Sequence, residues 1–237
     1  MSNTYFQFKQ FVIHQDRCAM KVCTDASIFG AWFSGKIPAG ASVLDIGSGT
    51  GLLMLMLAQQ HDGPIRGIEL DLYAFGQLQE NLAGSPWKEM LEAWQGDVRT
   101  FAFPQKFDRI ISNPPFFEGD LHSASHSENL AKHSKELTLS ELIGVIDANL
   151  SDTGSFGILL PYHRTDYFEE LAAGRGFHLQ EKLQVRQTPA HDYFRAILYF
   201  SRRKDNFTPQ PDLTIRDAAG VYTEAFVELL KGYYLYL

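Results

Sequence analysis

The segment Asn113-Pro114-Pro115-Phe116 combines residue types that can hold a planar ring carrying an amino group. The side-chain oxygen of Asn113 and the carbonyl of Pro114 can each accept a hydrogen bond from an exocyclic NH2. The two prolines fix their own φ and keep the preceding residues out of the helical region, which stiffens the turn. Phe116 offers an aromatic face on which a planar ring can stack. Asn-Pro and Pro-Pro are also common turn dipeptides, so the segment alone is equally consistent with a plain turn.

A second candidate site is the glycine-rich loop that follows the predicted strand Ser42–Ile46. Gly47, Gly49 and Gly51 permit a tight turn and let a ligand approach the backbone closely. Loops that bind dinucleotides have the spacing G-x-G-x-x-G, and their pyrophosphate favours a helix N-terminus without a nearby anion. Here Asp45 precedes the first glycine by two residues and would attract an ammonium group instead. The loop therefore favours a nucleoside that carries an amino acid, such as S-adenosylmethionine.

Two further acids lie at the carboxyl ends of predicted strands. Glu69 ends the second strand, where an acid commonly binds a ribose diol. Asp97 follows the third strand and could accept a hydrogen bond from an adenine amino group. Ligands of open parallel sheets bind at the carboxyl ends of the strands, so Asp45, Glu69 and Asp97 together predict a cofactor site.

Short apolar segments alternate with helical ones, which predicts βαβ units and a mainly parallel sheet. The last two strands have only a loop between them and predict an antiparallel hairpin at the sheet edge. We count one domain over residues 1–237, with an N-terminal arm (1–30), a core (42–161) and a C-terminal half (162–237). The predicted strands are Ser42–Ile46, Ile65–Glu69, Leu91–Gln95, Phe107–Ser112, Phe156–Leu160, Phe177–Arg186 and Phe194–Arg202, and the predicted helices are Leu52–Gln60, Leu72–Leu82, Leu139–Leu150 and Tyr162–Ala173.

The composition of the chain is that of a globular protein with a sizeable core: 45% hydrophobic and 21% charged residues, with a net charge of −7. No apolar run reaches the roughly 20 residues needed to span a bilayer, and the N-terminus does not resemble a signal peptide. Cys18 and Cys23 are expected to be reduced thiols, and we expect a cytoplasmic monomer. The spacing of His122, His126 and His133 fits no compact zinc site, so no metal is expected.

The order of glycine loop, two acids and Asn-Pro-Pro-Phe resembles the class I S-adenosylmethionine-dependent methyltransferases that modify planar amines, over residues 42–161. The resemblance implies a Rossmann-like α/β fold with a mainly parallel seven-stranded sheet and a C-terminal antiparallel hairpin. It also implies that Asn113 and the Pro114 carbonyl bind the target NH2, that Phe116 stacks on its ring, and that Asn113 adjoins the cofactor. The motif serves adenine N6, guanine N2, cytosine N4 and glutamine amides alike, and so does not choose among them.

The segments on either side of this core indicate which amine is the target. Residues 8–25, with Asp-Arg-Cys-Ala-Met-Lys-Val-x-Thr-Asp at their centre, closely resemble the start of the bacterial tRNA(Val) adenine-37 N6-methyltransferases. Further matches are Gly30-Ala31-Trp32, the stretch from Asn81 to Ser85-Pro86-Trp87, and Tyr222-Thr223-Glu224-Ala225-Phe226. The family often has Tyr where this chain has Phe116, and an acidic net charge is unhelpful for tRNA.

This second resemblance implies N6-methylation of an adenine in the anticodon loop of tRNA. It implies that Asp25 shares the cofactor ammonium with the glycine loop. Lys9, Arg17 and Lys21 are then candidate phosphate contacts. The alternatives are an rRNA guanine-N2 methyltransferase, a protein glutamine methyltransferase, a nicotinamide-dependent oxidoreductase on the same sheet, and an inactive RNA-binding scaffold.

Overall fold

The computed structural model describes residues 3–18, 20–115, 137–205 and 207–237. The strands are β1 Tyr5–Gln7, β2 Val12–His14, β3 Val43–Ile46, β4 Ile65–Glu69, β5 Leu91–Gln95, β6 Phe107–Ser112, β7 Leu150–Pro161, β8 His178–Arg186, β9 Arg195–Ser201, β10 Thr208–Pro209 and β11 Leu213–Thr214. The helices are α1 Thr24–Ser34, α2 Leu52–Ala58, α3 Leu72–Ala83, α4 Leu139–Asn149, α5 Thr165–Ala173 and α6 Glu224–Leu230. None of the described helices is long and apolar enough to cross a membrane.

The main sheet has the strand order β5-β4-β3-β6-β7-β9-β8, and the two-residue strands β10 and β11 both pair with β8. All neighbouring pairs are parallel except those of β9, which runs antiparallel to β7 and β8. The prediction of a mainly parallel seven-stranded sheet with a C-terminal hairpin is confirmed, with β10 and β11 as additions. The carboxyl ends of the parallel strands therefore lie along one side of the sheet, which we call the carboxyl edge.

Two apolar layers cover the sheet because its strands alternate between faces. Val43 of β3 packs with α1, α2, α3 and α6 on one face, whereas Leu44 and Ile46 pack with α4 and α5 on the other. On the second face, the buried rings of Phe156 and Phe168 join the sheet to α5. Both faces are closed, which is what a parallel sheet requires.

Strand β7 differs from its prediction. It begins at Leu150, the last residue of the predicted helix Leu139–Leu150, rather than at Phe156. Phe107 of β6 pairs with Leu150, but Arg109 pairs with Ser155, so the extra residues of β7 form a bulge. Residues in a bulge do not follow the alternation of apolar and polar side chains that marks a strand. The start of β7 therefore could not be recognised from the sequence.

No helix or strand was predicted for the N-terminal arm (1–30). Its last part continues past residue 30 as helix α1, over residues 24–34. This helix packs against α2 so closely that a Cβ on Gly30 would lie 2.7 Å from Sδ of Met56. Most of the α1 surface is buried, so its sequence is apolar on all sides and lacks the period of an amphipathic helix. The first part of the arm is the hairpin of β1 and β2.

Gly157 of β7 gives a direct test of the packing of α1 on the sheet. A Cβ at this position would lie 2.5 Å from two ring carbons of the fully buried Phe33 and 3.1 Å from the ring of Phe29. We expect Gly157→Ala to lower the free energy of unfolding by about 1–3 kcal/mol, as overpacking does. Gly76→Ala in α3 is the control, since a Cβ there meets nothing within 4 Å. The control should stabilise by roughly 0.5–1 kcal/mol. Urea unfolding measures both, and equal stability of the two variants would contradict this packing.

Candidate functional site

The glycine loop joins β3 to α2 at the carboxyl edge. Gly47, Gly49 and Gly51 all have positive φ, at 74°, 55° and 87°, a backbone region that glycine adopts without strain. A Cβ at Gly47 or Gly49 would meet nothing within 4 Å, so the backbone there faces open space. The loop therefore has the conformation and the open side that a closely approaching ligand needs.

Asp45 lies at the base of this loop, 1% exposed. Both of its carboxylate oxygens are buried without a hydrogen-bond donor among the described residues. Burial, and then the negative charge of Glu69, raises the pKa of Asp45 to about 8. A buried carboxylate without a partner is costly, so this group suits a ligand that brings its own cation or donor.

Glu69, at the end of β4, is held in place by two backbone groups. Its Oε2 accepts a hydrogen bond from the amide of Gly49 at 2.8 Å, and its Oε1 accepts one from the amide of Asp71 at 2.8 Å. Each carboxylate oxygen keeps a further acceptor position, so Glu69 can still bind a pair of hydroxyls. Beyond it lie two apolar side chains that were not predicted as part of the site, Leu70 and Leu72, which are 50% and 66% exposed. They flank Asp71, the N-cap residue of α3.

Asp97 has a partner within the chain. Its carboxylate accepts hydrogen bonds from Nε and Nη2 of Arg99 at 3.0 and 2.7 Å, and from the Arg99 amide at 2.9 Å. The hydrogen bond from the Arg99 side chain holds the pKa of Asp97 below its usual value. Arg99 also reaches Glu141 at 3.5 Å, and Glu141 forms the capping box of α4 with Thr138. Arg99, which sequence reasoning missed, thus connects Asp97 to the start of α4.

Asn113 follows β6 directly, and its Oδ1 is buried with no hydrogen-bond partner among the described residues. In the register of β3 and β6, Asp45 pairs with Ile111, so Asn113 lies two residues beyond the neighbour of Asp45. The unpaired oxygens of Asp45 and Asn113 therefore lie at the ends of adjacent strands. Pro114 is buried and Pro115 exposed, while Phe116 falls outside the described residues.

Asp25 lies in the first turn of α1 and is 8% exposed. Its Oδ2 accepts a hydrogen bond from Nε of Arg195 at 2.7 Å. Arg195 is the first residue of β9 and pairs with Pro161, the last residue of β7, so the ion pair lies at the carboxyl edge. Unlike Asp45, Asp25 has a cation of the chain beside it, and no sequence pattern predicts a pairing of residues so far apart. Burial raises the pKa of the neighbouring Cys23 to about 12.

The three predicted RNA contacts lie on the N-terminal segment, where each contacts another part of the chain. Nζ of Lys9 donates to the carbonyl of Lys231 at 2.6 Å, and Nζ of Lys21 donates to the carbonyl of Asn3 at 3.2 Å. Arg17 forms an ion pair with Glu80 of α3. All three are placed to stabilise the N-terminal segment, and contact with RNA stays a prediction.

Helix α3 holds the N-terminal segment against the glycine loop through Asn81, which is 3% exposed. Its Nδ2 donates to the carbonyl of Thr50 at 2.9 Å and to that of His14 at 3.0 Å, while its Oδ1 accepts from the amide of His14 at 2.9 Å. This buried amide therefore fixes the loop relative to β2. Its position in the helix gave no signal of that role.

Metal-binding groups do not gather in the described part of the chain: no cluster of three or more His, Cys, Asp or Glu side chains occurs there. His122, His126 and His133 lie outside the described residues. Cys18 and Cys23 are both free thiols.

Known proteins similar to this chain identify its family. Residues 32–151 match the family model of the methyltransferase small domain. A tRNA1(Val) (adenine(37)-N6)-methyltransferase of Dyadobacter fermentans is 40% identical over 98% of this chain and 98% of its own. The protein of the same name from Phocaeicola vulgatus is 36% identical over 99% of each chain.

The fold agrees with a solved structure, that of the glycopeptide N-methyltransferase MtfA complexed with S-adenosyl-L-methionine. It superimposes with a TM-score of 0.55 at 13% identity, covering 76% of this chain and 95% of the other. These relatives, similar over nearly the full length of the chain, confirm the family that the N-terminal segment predicted. With its glycine loop, strand-end acids and Asn-Pro-Pro-Phe segment, this chain belongs to the tRNA1(Val) (adenine(37)-N6)-methyltransferase family.

Proposed function

We propose that this protein transfers a methyl group from S-adenosylmethionine to N6 of an adenine in the anticodon loop of tRNA, adenine 37 of valine tRNA. The observation that carries the proposal is the set of unpaired buried oxygens of Asp45 and Asn113 on adjacent strands. The names of the full-length relatives support the adenine and the tRNA. Because the substrate is tRNA, we infer that the protein acts in the cytoplasm. The monomeric state stays a prediction.

The residues around the glycine loop fit S-adenosylmethionine, which supplies a methyl group on a sulfonium when bound. Asp45 would accept the ammonium group in ionised form, and Gly47 and Gly49 leave the backbone open to it. Glu69 would bind the ribose diol, since its two oxygens are already oriented by backbone amides. Asp97 and Asp25 would contribute at the adenine and methionine ends, each with an arginine beside it. A pyrophosphate brings no cation to Asp45 and would be repelled by its ionised form, which disfavours a nicotinamide cofactor.

At the target base, Asn113 and Pro114 would orient the exocyclic amine. Oδ1 of Asn113 and the Pro114 carbonyl each accept one N–H, which directs the nitrogen lone pair toward the methyl group. The donor would leave as a neutral thioether, and no strong base is needed because the methylated nitrogen is acidic and releases its proton to water. Positioning of this kind can account for roughly 7–11 kcal/mol of a barrier. An anticodon-loop base must leave its stack, and stacking on Phe116 would return about 1–3 kcal/mol of that cost.

Substrate class is tested by incubating the protein with labelled cofactor and separate pools of unmodified tRNA, rRNA and protein. We expect label in the tRNA pool alone, and N6-methyladenosine after its digestion to nucleosides. Label in rRNA as N2-methylguanosine, or in protein as methylglutamine, would contradict the proposal and identify the alternative.

Asn113→Ala tests the role of the side-chain oxygen. We expect kcat to fall by at least about 10²-fold, the effect of removing one hydrogen-bonding group that acts in the transition state. The dissociation constant of the cofactor should change little, because Asp45 and Glu69 remain. Asn149→Ala is the control, since Asn149 ends α4 and its amide donates to the carbonyl of Val145. A large loss of cofactor affinity with unchanged kcat would show that Asn113 has a different role.

The raised pKa of Asp45 predicts that cofactor binding releases a proton. With a pKa of about 8, its carboxyl group is protonated in the free protein at neutral pH. An ammonium beside it favours the ionised form, so affinity should rise between about pH 6 and 7, by up to about ten-fold. Calorimetry in two buffers of different ionisation enthalpy should show close to one proton released. Glu69→Gln should reduce this release, because it removes a charge that raises the pKa of Asp45. Binding by the wild type without proton release would contradict this assignment.

A further inference from the structure

The carboxyl edge is divided by charge. The ends of β3, β4 and β5 carry or precede Asp45, Glu69 and Asp97, which form the proposed cofactor site. On the other side of β6, the strand ends carry arginines. Arg195 begins β9, Arg186 ends β8, and Arg216 follows β11. The chain is acidic overall, with a net charge of −7, so a row of cations at this edge is a local feature.

These arginines lie in one row because of the strand register. Arg195 pairs with Pro161 of β7 and with Val185 of β8, which places Arg186 one residue beyond the Arg195 pairing. The amide of Arg216 donates to the carbonyl of Gln187 at 2.9 Å, so Arg216 adjoins Arg186. Neighbouring strands are about 4.8 Å apart, so Arg186 lies about 14 Å, or three strand spacings, from β6. Arg216 lies about one spacing further, beside the strand that pairs with β8.

Arg186 and Arg216 have aromatic neighbours rather than acidic partners. The guanidinium carbon of Arg186 lies 5.6 Å from the ring centre of Tyr193, and that of Arg216 lies 3.9 Å from the ring centre of Tyr222. Within the described parts of the chain neither forms an ion pair: Arg186 donates to Oγ1 of Thr214 at 2.9 Å, and Arg216 to the carbonyl of Gly220 at 2.6 Å.

The nearby acids are engaged elsewhere. Asp212 accepts hydrogen bonds from the hydroxyl of Tyr193 and from the amide of Gln184. Asp217 accepts hydrogen bonds from the backbone amides of Ala219 and Val221. Neither carboxylate forms an ion pair with Arg186 or Arg216 in the described parts of the chain, so both guanidinium groups can bind an anionic ligand.

We propose that Arg186 and Arg216, with the aromatic rings beneath them, bind phosphates of the tRNA backbone next to the target adenine. The inference rests on the proposed function, and it names the part of the surface on which the tRNA docks. A planar guanidinium held on a ring keeps its N–H groups pointing outward, in the geometry that phosphate oxygens accept. The distance of about 14 Å from β6 exceeds the length of one nucleotide, so this pair contacts nucleotides that flank the flipped base.

This location differs from the N-terminal cations predicted from the sequence. Arg17 is in an ion pair with Glu80, and Lys9 donates to a backbone carbonyl. Arg186 and Arg216 have no comparable acidic partner in the described structure, and they lie on the edge that carries Asn113. This location also keeps the RNA phosphates away from Asp45, Glu69 and Asp97 at the ends of β3, β4 and β5.

The test is the double variant Arg186→Gln/Arg216→Gln. We expect tRNA binding to weaken by roughly ten-fold, and the slope of log K against log salt to decrease by about 1 for each arginine. The dissociation constant of the cofactor should not change, because the acids of β3, β4 and β5 are untouched.

Two further variants make the result specific. Arg203→Gln/Lys204→Gln removes the same charge from exposed residues that follow the end of β9, at the opposite edge of the sheet. It should leave both the affinity and the salt slope as in the wild type. Arg186→Lys/Arg216→Lys keeps the charge and should retain the wild-type slope. Because Arg186 also bonds Thr214, the thermal midpoint of each variant is measured alongside.

The outcomes separate the two proposals. A wild type that methylates tRNA, with an unchanged salt slope in the glutamine double variant, would overturn this docking surface and leave the proposed function intact. An equal loss of slope in the lysine double variant would overturn it too, since charge would then not be the cause. A wild type that neither binds nor methylates tRNA would overturn the proposed function itself, and this inference with it.

Discussion

The main constraint on the candidate site is the side-chain carboxyl group of Asp45, which is buried without a hydrogen-bond donor among the described residues. Both oxygens of Asp45 lie inside the protein at the end of β3, and no described group of the chain donates to them. Such a group raises the free energy of the ligand-free fold, so its position has to be explained by what it binds. The glycines beside it, with φ values that favour glycine, leave room for a ligand that carries a cation. Oδ1 of Asn113, beyond the end of the adjacent strand β6, is likewise buried without a partner, and we propose that it binds the second substrate.

Parallel strands bring these groups together although they are far apart in sequence. The strand order places β3, with Asp45, beside β6, with Asn113, and continues through β7 and β9 to β8. Asp45, Glu69 and Asp97 lie on one side of Asn113, whereas Arg186 and Arg216 lie on the other. We propose that the cationic cofactor binds on the first side and the anionic RNA backbone on the second. The net charge of −7 describes neither side, which is why it is a poor guide to the partner.

The sequence predicted what depends on local residue types. The strands Ile65–Glu69, Leu91–Gln95 and Phe107–Ser112 have their predicted bounds, because each is a short segment between clear turns. It could not predict what depends on tertiary pairing. The ion pair of Asp25 with Arg195 joins residues 170 positions apart, and the bulge in β7 arises from its register with β6. Arg99 beside Asp97, and the arginine row beyond β7, likewise follow from packing rather than from a motif.

Methylation of one adenine in valine tRNA is tested most directly on that tRNA itself. Valine tRNA is purified from cells with and without the gene, digested to nucleosides and oligonucleotides, and analysed by mass spectrometry. We predict N6-methyladenosine at position 37 in cells with the gene and unmodified adenosine at that position in cells without it. An unchanged level of N6-methyladenosine in valine tRNA would contradict the assignment of this site to tRNA.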